Sequence, residues 1–313
     1  VKVALLAGGT GGAKLAVGLR DILHGFDGEP AEQPGQLSVV ANTADDIEIY
    51  DVHVSPDPDL ISFRLAGVLN AAGYGIEGET HDQMDALRAK GEDVWFELGD
   101  DDMNVCAARK TALDAGQPLT AAHAVATSGY DQGGALVLPM SDEPVRTVVI
   151  TPEGEIGIQQ YLIQHRSEPA IEGVRFDGLE SAQATDQVLR SFDEADLIIV
   201  GPSNPVISVL PILVTPGVRE AIEAASAPVV GVSPFVGGEV LKGPTAKFIE
   251  STGFPATSTG VADCYGEIVD GWVSDDPVTG HAHHLAGVAM PDPAGARAVA
   301  AETLRYGASL AST

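Results

Sequence analysis

Positive charge is scarce in this chain. Its 313 residues hold six lysines, and lysine and arginine together number 17 against 45 aspartates and glutamates, for a net charge of −28. A surface of that sign repels nucleic acid and anionic membranes, so neither is an expected partner. The excess suits a salt-rich cytoplasm, where dissolved ions screen self-repulsion. A lone carboxylate therefore says little here, and only carboxylates held in a motif count. Cysteine is nearly absent: Cys106 and Cys264 lie far apart and form no CxxC or zinc pattern, so buried free thiols are expected. No apolar run reaches the roughly 18 to 20 residues that span a bilayer. Strand-like residues begin at position 2 with glycines straight after, which predicts no leader and a cytoplasmic location. No Gly-x-Ser-x-Gly elbow, zincin helix or Cys/His nucleophile motif is present, so covalent catalysis has no obvious author. The histidines of His281-Ala-His283-His284 read as an exposed loop.

What is there begins with VKVALLAGGTGGAKLAVGL. Residues 2–7 read as a buried strand and 13–23 as a helix, joined by a glycine loop. A second apolar run, Leu37–Ala41, ends in Asn42-Thr-Ala-Asp45-Asp46, which completes a parallel βαβ unit. Ligands on such sheets sit beyond the carboxyl ends of the strands, where Gly8–Gly12 and Asn42–Asp46 fall. Residues 57–130 turn helical: a capping-box form at Thr80–Gln83 opens a helix over Asp82–Lys90, and another spans Asn104–Ala115. Strand character returns at 145–151, 154–163, 196–200 and 229–232. Thr215-Pro216 reads as the start of a helix to Ala225, and another helix follows Pro244. The expected architecture is a single α/β domain, with a core of 1–56 and 131–313 and a helical insertion at about 57–130.

Four constellations carry chemistry. Gly8, Gly9, Thr10, Gly11 and Gly12, followed by Lys14, let backbone amides and a helix N-terminus approach an anion, although no Walker pattern is spelled. Asp45-Asp46 at a strand end, with Ser55-Pro-Asp57-Pro-Asp59 close behind, can hold magnesium beside a diphosphate; solvated turns would use the same residues. Gly201-Pro-Ser203-Asn204-Pro205 offers a hydroxyl and an amide after a strand. Ser233 begins a second strand-then-glycine loop that carries Lys242, and Lys14 and Lys242 both falling in glycine-rich loops points to anion contacts.

Taken together, GGTGGAKLAVGL, NTADDIEIYDVHVSPDPD, YGIEGET, FELGDDD, LPMSDEPV, GPSNPVISVLPIL and VSPFVGGEVLKGP resemble the 2-phospho-L-lactate transferase family, CofD in archaea and FbiA in actinobacteria. They cover most of residues 3–245. With the acid excess, the resemblance implies a halophilic archaeal source. It implies a Rossmann-like, mostly parallel sheet with flanking helices, a homodimer and a Mg2+ requirement. It implies transfer of a phospholactyl or phosphoenolpyruvyl group from a guanosine diphospho donor to the deazaflavin precursor Fo, with GMP departing, in coenzyme F-420 biosynthesis. Asp45, Asp46 and Asp59 then fall near metal, phosphates and Fo, with Asp45 or Asp59 orienting or deprotonating the attacking hydroxyl. Gly8–Lys14, Ser203, Asn204, Ser233 and Lys242 fall on the donor side, and Asp59, Tyr74, Thr80 and Glu97 on the deazaflavin side.

The chain departs from the family pattern on the acceptor side. The family's SPDLDT reads Ser55-Pro-Asp-Pro-Asp-Leu60, WWGI reads Gly73-Tyr-Gly-Ile76, GDRD reads Gly99-Asp-Asp-Asp102, and the position before Leu98, commonly lysine, is Glu97. A paralogous transferase with a different acceptor, or a CofD-like nucleotide-sugar-binding regulator, are the alternative readings. A dinucleotide-dependent oxidoreductase lacks its full fingerprint.

Overall fold

Val3, Leu5 and Ala7 alternate with Ala4 and Leu6 along the first strand, and both sets are buried. A strand apolar on both faces needs cover on both faces. The computed structural model, which describes residues 1–26, 29–31, 34–240 and 243–311, supplies it. Seven strands, β1 (Lys2–Ala7), β2 (Gln36–Ala41), β3 (Leu136–Pro139), β4 (Leu197–Val200), β5 (Val229–Val232), β6 (Gly271–Ser274) and β7 (His283–Leu285), form one sheet. Their spatial order is β7-β6-β5-β4-β1-β2-β3, and every pairing in it is parallel. The order reverses between β1 and β4, so the chain leaves the two strands on opposite sides and opens a crevice at their carboxyl ends. The expected α/β class holds.

Helix α1 (Gly9–His24) packs Leu15, Ala16 and Leu19 beside Val3 and Leu5, with α2 (Pro56–Ala66) adding Ile61 and Leu65. The last long helix, Pro293–Leu310, adds Val299 and Ala300 to the same layer. The other face is covered by Val188, Phe192, Ile212, Ile222 and Phe248. Beyond α2, α3 (Asp82–Ala89), α4 (Asp100–Asp114) and α5 (Leu119–Ala126) form smaller clusters with the hairpin Ile47–Ile49/Val52–Val54. Tyr50 (φ 53°) and Asp51 (φ 59°) are both left-handed there, as a two-residue hairpin turn demands.

Several local expectations are corrected. Helix α1 begins at Gly9 rather than 13, so the glycines are its first turn. Helix α3 is capped by Asp100, whose carboxylate accepts from the amides of Asp82 (3.0 Å) and Gln83 (2.9 Å), not by a Thr80–Gln83 box. The 154–163 strand stops at Gly157 and gives way to a π-type turn at Gln160–Gln164. Thr215 ends a short helix at Leu210–Val214, and the next helix starts at Val218 behind Gly217. His283 and His284 belong to the edge strand β7; His281 meets Asp263 and His284 meets Glu302. Cys106 is buried, but Cys264 only partly so. Among the described residues no single helix is long and apolar enough to cross a membrane.

Candidate active site

At the crevice between β1 and β4 lies a cavity of about 740 Å³. Its floor is the strand ends. Gly8 is extended, Gly9 is left-handed (φ 58°), and α1 starts at once. A side chain at Gly8 would strike Asp57 and Ser208, one at Gly11 the Pro202 carbonyl, and one at Gly12 both Ala7 and Ser203. Close packing against the 202–208 segment is thus a sufficient reason for three of the glycines. The Gly8 amide donates to Ser203 Oγ (3.1 Å) and the Gly9 amide to Asp57 Oδ1 (2.7 Å).

Asp57 is the centre of this floor. Asn42 Nδ2 donates to its Oδ2 (3.0 Å) and to the Ile207 carbonyl (3.1 Å), tying β2's end to α2 and the 205–209 turn. Burial raises the Asp57 pKa to about 6, against the pull of its Asn42 and Gly9 hydrogen bonds. Asp45 also lines the cavity, with Thr147 Oγ1 donating to its Oδ1 (2.9 Å) and Gln159 Nε2 to its backbone carbonyl (2.9 Å). Burial first, and repulsion from Asp57 second, hold its pKa well above the usual range.

The acids expected to act as a trio do not converge. Asp46 is absent from the cavity lining: its Oδ1 accepts from Ser55 Oγ (2.8 Å) and its Oδ2 meets His53 Nε2 (2.9 Å). Burial opposes the His53 charge, but Asp46 and Glu48 outweigh it and raise the histidine's pKa. Asp59 reaches the cavity yet is paired with Arg109, a fully buried arginine that also donates to the His53 carbonyl (2.9 Å). Among the described residues no group of three or more His, Cys, Asp or Glu side chains is placed to hold a metal ion.

Thr10, Lys14, Ser203, Asn204, Ser233, Tyr74 and Glu97 also line the cavity. Gly12 lies beneath it, Thr80 donates to Asp100 outside it, and Lys242 lies outside the described residues. Asn204 spends its carbonyl on the amides of Val206 and Ile207 (3.0 and 3.2 Å), capping the π-type turn Pro205–Val209. On the far wall Tyr74 is 56% exposed and Glu97 is paired with Arg88. The phenol oxygen of Tyr50 accepts the amides of Trp95 and Phe96 (both 3.0 Å), suspending the 96–98 segment over the cavity.

A family model, 2-phospho-L-lactate transferase CofD, matches residues 3–288. The chain belongs to that family. It is a CofD-type transferase, an enzyme serving coenzyme F-420 biosynthesis. A Thermobifida fusca protein named phosphoenolpyruvate transferase is 36% identical over 283 residues, covering 88% of this chain and 87% of its own. A Methanospirillum hungatei protein named 2-phospho-L-lactate transferase is also 36% identical, over 275 residues, with 88% and 89% covered. Protein BH3568 from Bacillus halodurans shares the fold alone, at 18% identity and a TM-score of 0.56, over 89% of this chain and 82% of that one.

For this CofD-type chain the residue that sequence reasoning underweighted is Asp57. Its signal was present: Ser55-Pro56-Asp57 is a helix start with proline in the first turn and acids behind it. Asp102 was missed as well. It lines the cavity, and burial together with Glu79, Asp59 and Asp101 raises its pKa to about 7. Nothing local marks Arg109, which acts across 50 residues of sequence.

Proposed function

We propose that the chain transfers a 2-phospho-L-lactyl or phosphoenolpyruvyl group from a guanosine diphospho donor to Fo, releasing GMP. The observation that carries the reading is the Asp45–Asp57 pair facing the glycine turn in one cavity. Two buried carboxylates that repel one another fit a Mg2+ ion, which takes one or two carboxylates and completes its shell with water and phosphate oxygens. When bound, the ion would offset charge on the diphosphate as GMP leaves. The chain's own part is positioning: α1 directs its N-terminus at the diphosphate, and Ser203 holds the turn at Gly8. With Asp59 paired to Arg109, Asp45 is the better placed of the two to orient the acceptor hydroxyl, and Asp59 anchors the wall.

Relatives equally similar carry both transferase names, so both donors belong in the test. Purified protein with Fo, Mg2+ and either donor should release GMP stoichiometrically with a phosphodiester joining Fo to the lactyl or enolpyruvyl group. Absence of GMP at high salt, from protein that binds the donor, would refute Fo as acceptor. The paralogue reading is favoured by Glu97, an anion paired with Arg88 on the acceptor wall. We also read the chain as one domain with a helical insertion at about 57–130, as a homodimer, and as a cytoplasmic protein of a halophilic archaeon, the last on its charge of −28. Light scattering and a salt series of melting curves test the dimer and the salt dependence.

A further inference from the structure

We infer that Asp276, through Ser258, fixes Ser233 as a pure hydrogen-bond acceptor, so that Ser233 reads an N–H or O–H group of the donor's nucleoside and not its phosphates. The inference rests on the proposed guanosine donor and concerns how that donor is recognised.

Ser233 follows β5 and lines the cavity; it is itself buried, and so are Ser258 and Ser274 behind it. A carboxylate can only accept, so the protons of this cluster can be assigned from Asp276 outward. Ser258 Oγ lies 2.7 Å from Asp276 Oδ1, and Ser274 Oγ lies 3.0 Å from the same oxygen. Ser258 therefore donates to Asp276, since two oxygens that close without a proton between them would repel. Its single proton is then spent. Ser233 Oγ and Ser258 Oγ stand 2.7 Å apart, so this bond must carry the proton of Ser233. The competing acceptor for that proton, the Phe235 carbonyl, is 3.5 Å away. Ser274 also approaches Ser258 at 3.2 Å, which changes nothing, because Ser258 can accept twice.

Ser233 Oγ in turn accepts the Phe235 amide at 3.1 Å. What remains to it is one lone pair and no proton. A phosphate oxygen is itself an acceptor and gains nothing there. Guanine N1–H and N2–H2 and the ribose hydroxyls are donors. The sheet places Ser233 accordingly: β5 is two strands from β1, whose end holds the glycine turn, and two strand spacings are about 10 Å. That is the reach from a diphosphate to its nucleoside. Within the donor side on which its motif put it, Ser233 thus belongs with the nucleoside.

The test is calorimetry of guanosine diphosphate on the whole chain, with melting curves to show that each variant is folded. Ser233→Ala, Ser258→Ala and Asp276→Ala should each weaken binding by about tenfold, the value of one hydrogen bond. The losses should not add: Ser258→Ala in the Ser233→Ala background should cost nothing more. Asp276→Asn keeps a carbonyl acceptor and should restore affinity. Pyrophosphate binding should be unchanged in all four. Inosine, N1-methylguanosine, 2′-deoxyguanosine and 3′-deoxyguanosine diphosphates locate the group that is read: the analogue lacking it binds wild type and Ser233→Ala alike. Unchanged guanosine diphosphate affinity in Ser258→Ala and Asp276→Ala, additive losses, or a loss on pyrophosphate overturns the relay alone. Failure of wild type to bind guanosine diphosphate removes the donor assignment and the relay with it.

Discussion

The Gly9 amide donates to Asp57 Oδ1 across 2.7 Å, so the first amide of α1 is already occupied by a carboxylate of the same chain. A diphosphate arriving at that turn meets an anion. Two unit charges 4 Å apart at an effective dielectric of 20 repel by about 4 kcal/mol. Guanosine diphosphate should therefore bind weakly in EDTA and markedly tighter with Mg2+. Asp57→Asn should raise the metal-free affinity by up to about a thousandfold and abolish the magnesium effect. Calorimetry with and without Mg2+ decides it; a wild type indifferent to the metal would contradict the account.

Arg109 has no exposed surface and serves Asp59 and the His53 carbonyl. Removing one partner of a buried ion pair strands the other charge, at a cost of about 3–5 kcal/mol. Arg109→Ala should lower stability by that order in urea unfolding. Arg109→Met with Asp59→Leu should recover most of it, since neither charge then remains.

Asp102 supplies the pH signature of the metal-free protein. Its folded pKa of about 7 stands above the unfolded value of 3.8, so the native state holds the extra proton between those limits. Stability from this group is then highest below about pH 4 and falls as pH rises toward 7. Asp102→Asn should match wild type in melting temperature near pH 4 and exceed it at pH 8. A constant difference across that range would show that the carboxyl is not the source.

Gly11→Ala would set a Cβ against the Pro202 carbonyl, a backbone atom that cannot swing aside. Overpacking of this kind costs about 1–3 kcal/mol. A lowered melting temperature, with weaker guanosine diphosphate binding as the turn shifts, is the expected outcome.

The strands and the glycine turn were legible because they rest on local pattern: Val3–Ala7 is apolar throughout, and Gly8 interrupts it. The family resemblance extended that reading across the strand-end loops. The carboxylate geometry was not legible, because spacing alone does not choose among Asp45, Asp46, Asp57 and Asp59. The choice is made by His53 seven residues from Asp46, by Arg109 fifty residues from Asp59, and by Thr147, 102 residues from Asp45. The π-type turns at Gln160–Gln164 and Pro205–Val209 also escaped, since their hydrogen-bond spacing leaves no apolar period of its own.

The suspension of Trp95 and Phe96 from one phenol oxygen has a consequence for how the cavity can vary. One rim of the cavity is the sheet, where moving any strand end disturbs both of its neighbours. The opposite rim hangs from Tyr50 on a two-residue hairpin that belongs to none of the seven strands. A cavity built this way can exchange residues on one rim while the strand pairings beneath the other stay as they are. The altered residues Tyr74, Glu97 and Asp101 all fall between the end of α2 and the first turn of α4, outside the sheet.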